Sequence, residues 1–409
     1  MKKTHTAIPP YLISMLRLIA LSTAATLSFS GKAAAQSSVT LYGSFDVPVI
    51  YSNNQQVEGG KGGSSVQVGY VGQAPSRFGF QGSEDLGGGR SAVFQLEGYV
   101  FPGTGQMMQA GSIFNKYAYV GLKDASIGTL ALGRQTDSYS DFLGLMVSSN
   151  TWATPYGSHF GDLDNLNQAF NFNNSIKFTS NTFGGVTVGG SYSLGGSATS
   201  FALNRGYSLA ASYAYGPFTV AAGYLTLNNP LDAALGGSDG YIGDLACSNA
   251  NAMYCSMQDA QTVRIAGVGG SMALDRLSVG LTYTHTQLQQ TAFATADGGG
   301  KHHITADIAE LNLTYNVQPD FQLGAAYIFN NIRPDGDAST QIHQVNLGAT
   351  YLLSKRSAIY AVGIGQLSSG QGLGINAAGQ SANLAQIPIL GNSNSSRQFA
   401  VILGLRNSF

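Results

Sequence analysis

A period of two constrains this chain more than any other feature. Val39-Thr-Leu41-Tyr-Gly43-Ser-Phe45-Asp-Val47 alternates an apolar parity with a mostly polar one. Val186-Thr-Val188-Gly-Gly190-Ser-Tyr192-Ser-Leu194 repeats it, as do Leu277-Ser-Val279-Gly-Leu281-Thr-Tyr283, Leu311-Asn-Leu313-Thr-Tyr315 and Val345-Asn-Leu347-Gly-Ala349-Thr-Tyr351. Side chains of a strand point alternately to its two faces, so strict alternation predicts strands with different surroundings on each side. A soluble sandwich alternates as well, and the polar parity separates the two cases. Here it is Gly, Ser, Thr and Asn, where Lys and Glu would meet bulk water. Only 10% of the 409 residues are charged, against about a quarter in ordinary soluble domains. Such a polar face suits a wet, confined lumen, while the apolar face with its flanking Tyr and Phe suits lipid. The aromatic content of 10% argues against disorder. After the first thirty residues no apolar run approaches the ~18–20 residues of a spanning helix.

Counting alternating segments predicts sixteen strands, starting near residues 39, 76, 90, 113, 127, 174, 185, 206, 217, 261, 276, 303, 320, 341, 357 and 397. Short connections (Glu84–Gly89, Lys123–Ser126, Thr182–Gly184, Gly216-Pro217, Leu274-Asp275, Val317–Pro319, Ser354–Arg356) alternate with long ones, notably 136–173, 228–260, 288–302 and 368–396. Tight turns at one end and large loops at the other describe an up-and-down membrane barrel. An even strand count closes the sheet, so no backbone edge meets hydrocarbon. The expected fold is therefore all-β, a closed 16-stranded antiparallel transmembrane barrel. The final segment, Phe399-Ala-Val401-Ile-Leu403-Gly-Leu405-Arg-Asn407-Ser-Phe409, is apolar mainly at odd positions and stops on an aromatic.

Residues 1–35 read as a cleaved secretory signal peptide: Lys2, Lys3 and Arg17, an apolar stretch Leu18–Phe29, then Ala33-Ala34-Ala35 before Gln36. That leaves 36–409 as one barrel domain. Without those 35 residues the chain has sixteen bases against twenty-one acids, a net charge of −5, which predicts no nucleic-acid partner. Cys247 and Cys255 are the two cysteines. In an oxidising compartment they read as a local disulfide, with two free thiols as the alternative. No histidine stands near them to complete a metal site.

Several stretches together resemble the Gram-negative general porins of Burkholderia and Neisseria type. They are Gln36-Ser-Ser-Val-Thr-Leu-Tyr-Gly43, Ser76-Arg-Phe-Gly-Phe-Gln-Gly-Ser-Glu-Asp-Leu-Gly-Gly-Gly89, Ala118-Tyr-Val-Gly-Leu122, Gly128-Thr-Leu-Ala-Leu-Gly-Arg-Gln135, Gly161-Asp-Leu-Asp-Asn165, Asn173-Asn-Ser-Ile176 and the closing Phe409. The resemblance implies a trimeric barrel in the outer membrane, among its lipids and lipopolysaccharide, with Phe409 read by the assembly machinery. It also implies a third long loop, 136–173, folded inward to narrow a pore for small hydrophilic solutes and ions, with no cofactor and no catalysis.

A pore sorts solutes by size and by the charges at its narrowest section. By parity Arg77 shares an inward face with Gly79 and Gln81, and Glu97 opposes the outward Phe94 and Leu96. Lys116 is expected inward, opposite an outward Tyr117 and Tyr119. In the resembled family, bases at the positions of Arg77 and Lys116 face carboxylates on the inward loop. Here the acidic candidates are Asp137, Asp141, Asp162 and Asp164, with Glu97 added from the wall. Two departures thin the basic side: Asn171 stands where many members carry arginine, and Lys116 replaces an arginine. Together with the charge of −5 they predict near-neutral or mildly cation-preferring conduction. Arg134 shares the outward parity of Leu130 and Leu132, which reads as a trimer contact or as a strand-end bulge turning it inward. His159 on the same loop titrates near neutrality when unperturbed, so it is a candidate pH-sensitive element.

Other motifs carry little. His302-His303 with Asp307 reads as exposed loop residues before a metal site, and Gly267-Val-Gly269-Gly270 lacks the helix that a phosphate cradle needs. A solute-specific uptake channel is the alternative function, and an adhesin or enzyme on the same scaffold is a weaker one. No inward aromatic track and no convergent catalytic group stands out in the sequence.

Overall fold

The computed structural model describes residues 38–57, 61–109, 111–168, 170–195, 205–228, 260–291, 302–334, 339–371, 374–375 and 381–409. The expected signal peptide 1–35 and the pair Cys247 and Cys255 lie outside the described residues. The wall strands are β1 (Ser38–Gln56), β2 (Gly62–Val68), β3 (Arg77–Gly87), β4 (Arg90–Tyr99), β5 (Tyr117–Asp124), β6 (Gly128–Gln135), β7 (Phe172–Ser180) and β8 (Val186–Ser193). They continue as β9 (Gly206–Tyr215), β10 (Phe218–Asn228), β11 (Thr262–Ala273), β12 (Leu277–Thr291), β13 (His302–Gln318), β14 (Phe321–Pro334), β15 (Thr340–Leu352) and β16 (Ser357–Gly370). A two-residue hairpin, β17 (Gly374–Ile375) with β18 (Ser381–Ala382), precedes the last wall strand, β19 (Arg397–Ser408).

Every neighbouring pair in the wall is antiparallel, and β19 closes the sheet on β1 with Ser44 opposite Ser408 and Ser52 opposite Ala400. Among the described residues seventeen strands form this sheet, yet they fill sixteen places, because β2 and β3 share one. β1 pairs with β3 through Ser38–Ser44 and with β2 from Val49 upward. The second place in the wall is thus a broken strand, and residues 69–76 leave it to enter the lumen. The backbone opposite the break is satisfied locally. Gly69 N–H donates to the Pro48 carbonyl at 2.8 Å, and Asp46 N–H donates to the Ser76 hydroxyl at 2.9 Å. Pro48 itself has no N–H to pair, so it fits a place without a neighbouring strand.

The outward parity is apolar as expected. Val120, Leu132, Leu281, Leu311, Val345 and Leu403 are all exposed on the outer face. The inward parity departs from the expectation in the loop-side half of the wall. On β13 the residues Ile304, Ala306 and Ile308 point inward and are buried, and Glu310 and Asn312 continue the same face. Leu311 and Leu313 then carry the apolar residues on the opposite parity. The apolar pattern therefore changes face partway along the strand. Leu225 and Leu227 of β10, Val263 and Ile265 of β11, and Ile328 and Ile332 of β14 are inward in the same way. They are inward because something apolar covers them.

Candidate functional site

That cover is the connection between β6 and β7. Asp137 caps a six-residue helix, α1 (Ser138–Leu143), by accepting the Ser140 N–H at 2.9 Å. Four short 3-10 turns follow, the last ending at Asp162. The connection buries Tyr139, Leu143, Met146, Val147, Phe160, Leu163 and Leu166 in one cluster with the inward apolar residues of β10 to β15. Trp152 lies flat on the wall where β14 and β15 carry Gly324 and Gly348. A Cβ at Gly324 would stand 2.3 Å from the indole, and one at Gly348 2.6 Å. Only glycine makes room for that ring.

A polar clamp holds the far part of this connection to the wall. His159 Nδ1 bonds Asp164 at 2.6 Å and its Nε2 bonds Glu310 of β13 at 2.9 Å, with all three side chains buried. Glu310 also accepts the Ser148 N–H at 2.6 Å, and Thr284 donates to Asp164 at 2.8 Å. Burial lowers the affinity of the imidazole for its proton, but the Asp164 and Glu310 carboxylates outweigh this and raise its pKa from 6.5 to about 10. His159 is thus a fixed cation at neutral pH. This corrects its reading as a group that titrates near neutrality.

The lumen left open lies on the opposite side, as a cavity of about 470 Å³. The inward segment 69–76 forms one bank through Tyr70, Val71 and Gln73, and the β6–β7 connection forms the other through Asp141, Leu145 and Asn150. The two banks are joined at one end. Tyr70 N–H donates to the Tyr156 hydroxyl at 3.0 Å, and Gln73 Nε2 donates to the Trp152 carbonyl at 2.9 Å and to Thr350 Oγ1 at 2.8 Å. Ile389, from the connection between β16 and β19, also lines the cavity. The narrow section is therefore built from three segments, of which sequence reasoning found one. The insertion 69–76 is only eight residues long within an otherwise regular strand, and Pro48 opposite it was its one visible sign.

Arg77 and Asp141 border this opening. Arg77 pairs in register with Tyr99 of β4 and stands beside Tyr99 and Glu97. Glu97 is inward and buried, and its Oε2 accepts the Tyr42 hydroxyl at 2.8 Å. It lies among the bases, on the wall, and not across from them as its acidic-side assignment required. Lys116 is fully buried against the end of the β6–β7 connection. Its Nζ donates to Gln168 at 2.7 Å and to Asn171 at 3.2 Å, 5.5 Å from the Tyr99 ring centre. Lys116 and Asn171, the two departures from the family pattern, thus meet each other. The parity argument behind Lys116 fails, however. Tyr117 stands opposite Glu97 and Tyr119 opposite Gln95, so both tyrosines point inward. Tyr119 Oη donates to Gln95 at 2.9 Å. Lys116 precedes the strand and is free of its alternation, and its Nζ turns to the end of the β6–β7 connection behind the opening.

Three of the four loop carboxylates are misassigned as pore-facing. Asp137 is the buried cap of α1, also bonded by Asn165 at 3.0 Å, and burial raises its carboxyl above the usual range. Asp162 is buried and accepts the Asn167 N–H at 2.9 Å. Asp164 belongs to the His159 clamp, where His159 holds its carboxyl below the usual range against the effect of burial. Each is used by the connection to hold its own shape. Asp141 alone of the four borders the opening, and it pairs with Lys177 of β7 and accepts Thr136 Oγ1 at 2.5 Å. Lys177 was missed, although Ser175-Ile-Lys177-Phe-Thr179 places it on the polar parity. Glu310 was missed because it sits where the pattern changes face.

Arg134 keeps the outward parity, opposite Ala118, and the register with β7 shifts at this point. The outward reading holds even though the bulge is present. Its guanidinium donates to the Asn115 carbonyl at 2.7 Å and to Asn173. The pair His302-His303 begins β13 and is not in a loop. Asp307 instead contacts His285 at 2.7 Å and Arg333 on the outer face.

A closed sheet that is apolar outside, with an opening in its lumen bordered by Arg77 and Asp141, defines a membrane channel of the β-barrel class. Comparison with known proteins narrows the class. A profile described as Gram-negative porin matches residues 20–367. An outer membrane porin protein of Bordetella pertussis is 30% identical over 377 residues, covering 84% of this chain and 92% of its own length. Outer membrane porin protein 32 of Delftia acidovorans is 28% identical over 359 residues, 82% of this chain and 86% of that one. Among solved structures, an anion-selective porin from Comamonas acidovorans superposes with a TM-score of 0.66 at 22% identity, covering 91% of this chain and all of that one. OmpT of Vibrio cholerae reaches 0.60 at 15% identity, covering 93% and 99%. The chain belongs to the Gram-negative porin family. It is an outer-membrane channel for small solutes.

Proposed function

We propose that the opening between residues 69–76 and the β6–β7 connection is the selectivity section, and that it passes small hydrophilic solutes with a weak preference for anions. The observation carrying this reading is the charge inventory around it. Arg77 and Asp141 border the opening, with Glu97 beside Arg77 and Lys177 paired to Asp141, so two bases balance two carboxylates, and the buried Lys116, whose pKa burial lowers to about 7, adds part of a positive charge behind them. Lys177 offsets the thinning of the basic side, which moves the expectation from near-neutral or cation-preferring to mildly anionic. Ions respond to the local field, and the distant surface acids behind the net charge of −5 are screened within about 10 Å at 0.1 M salt. The structural likeness to a porin described as anion-selective points the same way.

In this reading residues 1–35 direct export and are removed, and three chains assemble. The break between β2 and β3 and the outward Arg134 lie in the same third of the wall. That third would leave backbone and charge against hydrocarbon, so it is the side suited to subunit contact. A trimer form is recorded for the similar barrel of Vibrio cholerae OmpT. The test is the reversal potential of the purified protein in a planar bilayer under a potassium chloride gradient. A small potential of anionic sign is expected, with conductance steps in threes. A clearly cationic sign would overturn the assignment.

A further inference from the structure

We infer that the lumen holds a separate oxyanion site on its turn-side floor, directly beyond Arg77. This rests on the channel reading above, since the site lies at the turn-side mouth of the lumen. A second cavity, of about 140 Å³, is lined by Ser44 of β1, Ala74, Arg77, the turn between β15 and β16 with Ser354, Lys355 and Arg356, and Arg406 and Ser408 of β19. Four of its lining residues are basic and none is acidic. Among the described residues no ion pair or hydrogen bond engages the side chains of Lys355, Arg356 or Arg406. Lys355 and Arg356 thus have no ion-pair partner among the described residues, and Arg406 stands opposite Asp46 in the β1–β19 ladder. The Asp46 carboxylate acts on Arg406 while its two oxygens accept the Ala74 N–H at 2.9 Å and the Tyr360 hydroxyl at 2.6 Å.

A second, independent observation points to a ligand. Ser44 is 3% exposed and lines this cavity, yet its hydroxyl has no hydrogen-bond partner. A buried hydroxyl without a partner is costly, and native structures rarely leave one unused. An oxyanion seated between the bases would accept from Ser44 and from the guanidinium donors together, in charge-assisted bonds. The volume of about 140 Å³ admits a small tetrahedral or planar oxyanion. Because Arg77 lines both cavities, the site is the next station for an anion that has passed the narrow section. It lengthens the stay of such anions at the turn-side mouth.

Inorganic phosphate is the probe. Added to the turn side of a bilayer held in potassium chloride, it should reduce single-channel chloride current saturably, and from the loop side it should act more weakly. The double variant Lys355→Gln/Arg356→Gln, on an exposed turn, should weaken the half-blocking concentration about tenfold, the value of one lost charge-assisted contact. Arg406→Gln should do the same, and Arg276→Gln on another turn should change nothing. Ser44→Ala should weaken the block while leaving open-channel conductance as it was. Block that is non-saturating, or equal in the wild type and the double variant, would overturn the site while conduction itself still supports the channel. Absence of any conductance would instead remove the reading on which the site rests.

Discussion

The two sides of this barrel are built to one backbone rule and used in opposite ways. From β10 to β15 the loop-side half of the inner wall carries Leu225, Leu227, Ile265, Ile308 and Ile328 among buried threonines and asparagines, and the β6–β7 connection is packed onto it with a buried core of its own. From β1 to β7 the inner wall carries Arg77, Glu97, Tyr99 and Lys177, and the facing surface of the connection stays wet. The difference teaches that the opening is off-centre because the loop is bound by hydrophobic burial on one side, which leaves charges to line the other. A loop held only by hydrogen bonds over a water-filled lumen would exchange them for water at little net cost. Burial of large apolar side chains at ~1.5–3 kcal/mol each supplies what polar contacts lack.

The comparison is most strongly broken at the clamp. His159→Ala leaves the buried Asp164 and Glu310 without their cation, which costs about 3–5 kcal/mol. Denaturant unfolding of the detergent-solubilised barrel should show the loss, with open-channel noise rising as the connection loosens. Next, Leu143 and Leu145 lie two residues apart on the connection, one fully buried and one 74% exposed. Leu143→Ala should cost about 2–5 kcal/mol, whereas Leu145→Ser should stay within about 0.5 kcal/mol. Equal costs would refute the two-sided picture.

Acidity sharpens it further. The imidazole of His159 is raised from 6.5 to about 10 in the folded protein. A raised pKa means that the clamp's contribution is complete below pH 6.5 and is lost as pH climbs through 10. Current noise should therefore be flat across neutrality and increase only in alkaline solution, and a transition near pH 6.5 would contradict the buried geometry. The smallest effect belongs to the wet side. Arg77→Gln removes one charge worth about 1 kcal/mol at 4 Å in water, roughly fivefold in local anion concentration. The reversal potential should move toward the cationic sign with little change in stability.

The wall was legible in the sequence because its alternation is enforced by lipid outside. Strand starts at 90, 206, 357 and 397 coincide with those observed, and the turns between them carry their own glycine and aspartate signals. The interior was legible only in part. Arg77 and Glu97 followed from parity, but Lys116 and Tyr117 did not, since parity ends where a strand ends. Acidic type alone misplaced Asp137, Asp162 and Asp164, because a carboxylate that caps or clamps looks the same in sequence as one that faces a pore. The informative signal was the change of face at Ile308 and Leu311. It marks where an apolar partner replaces water inside the barrel, and it can be read without coordinates.

Trp152 is the chain's one tryptophan, and it rests where the connection meets Gly324 and Gly348. The molecule therefore carries a native optical reporter at the very joint on which its opening depends. Lifting of the connection would move the indole from a dry seat into water and redden its emission, while slackening of the outer wall elsewhere would leave that colour unchanged. Gating and unfolding, which current alone confuses, are distinguished by ultraviolet light in the unlabelled protein.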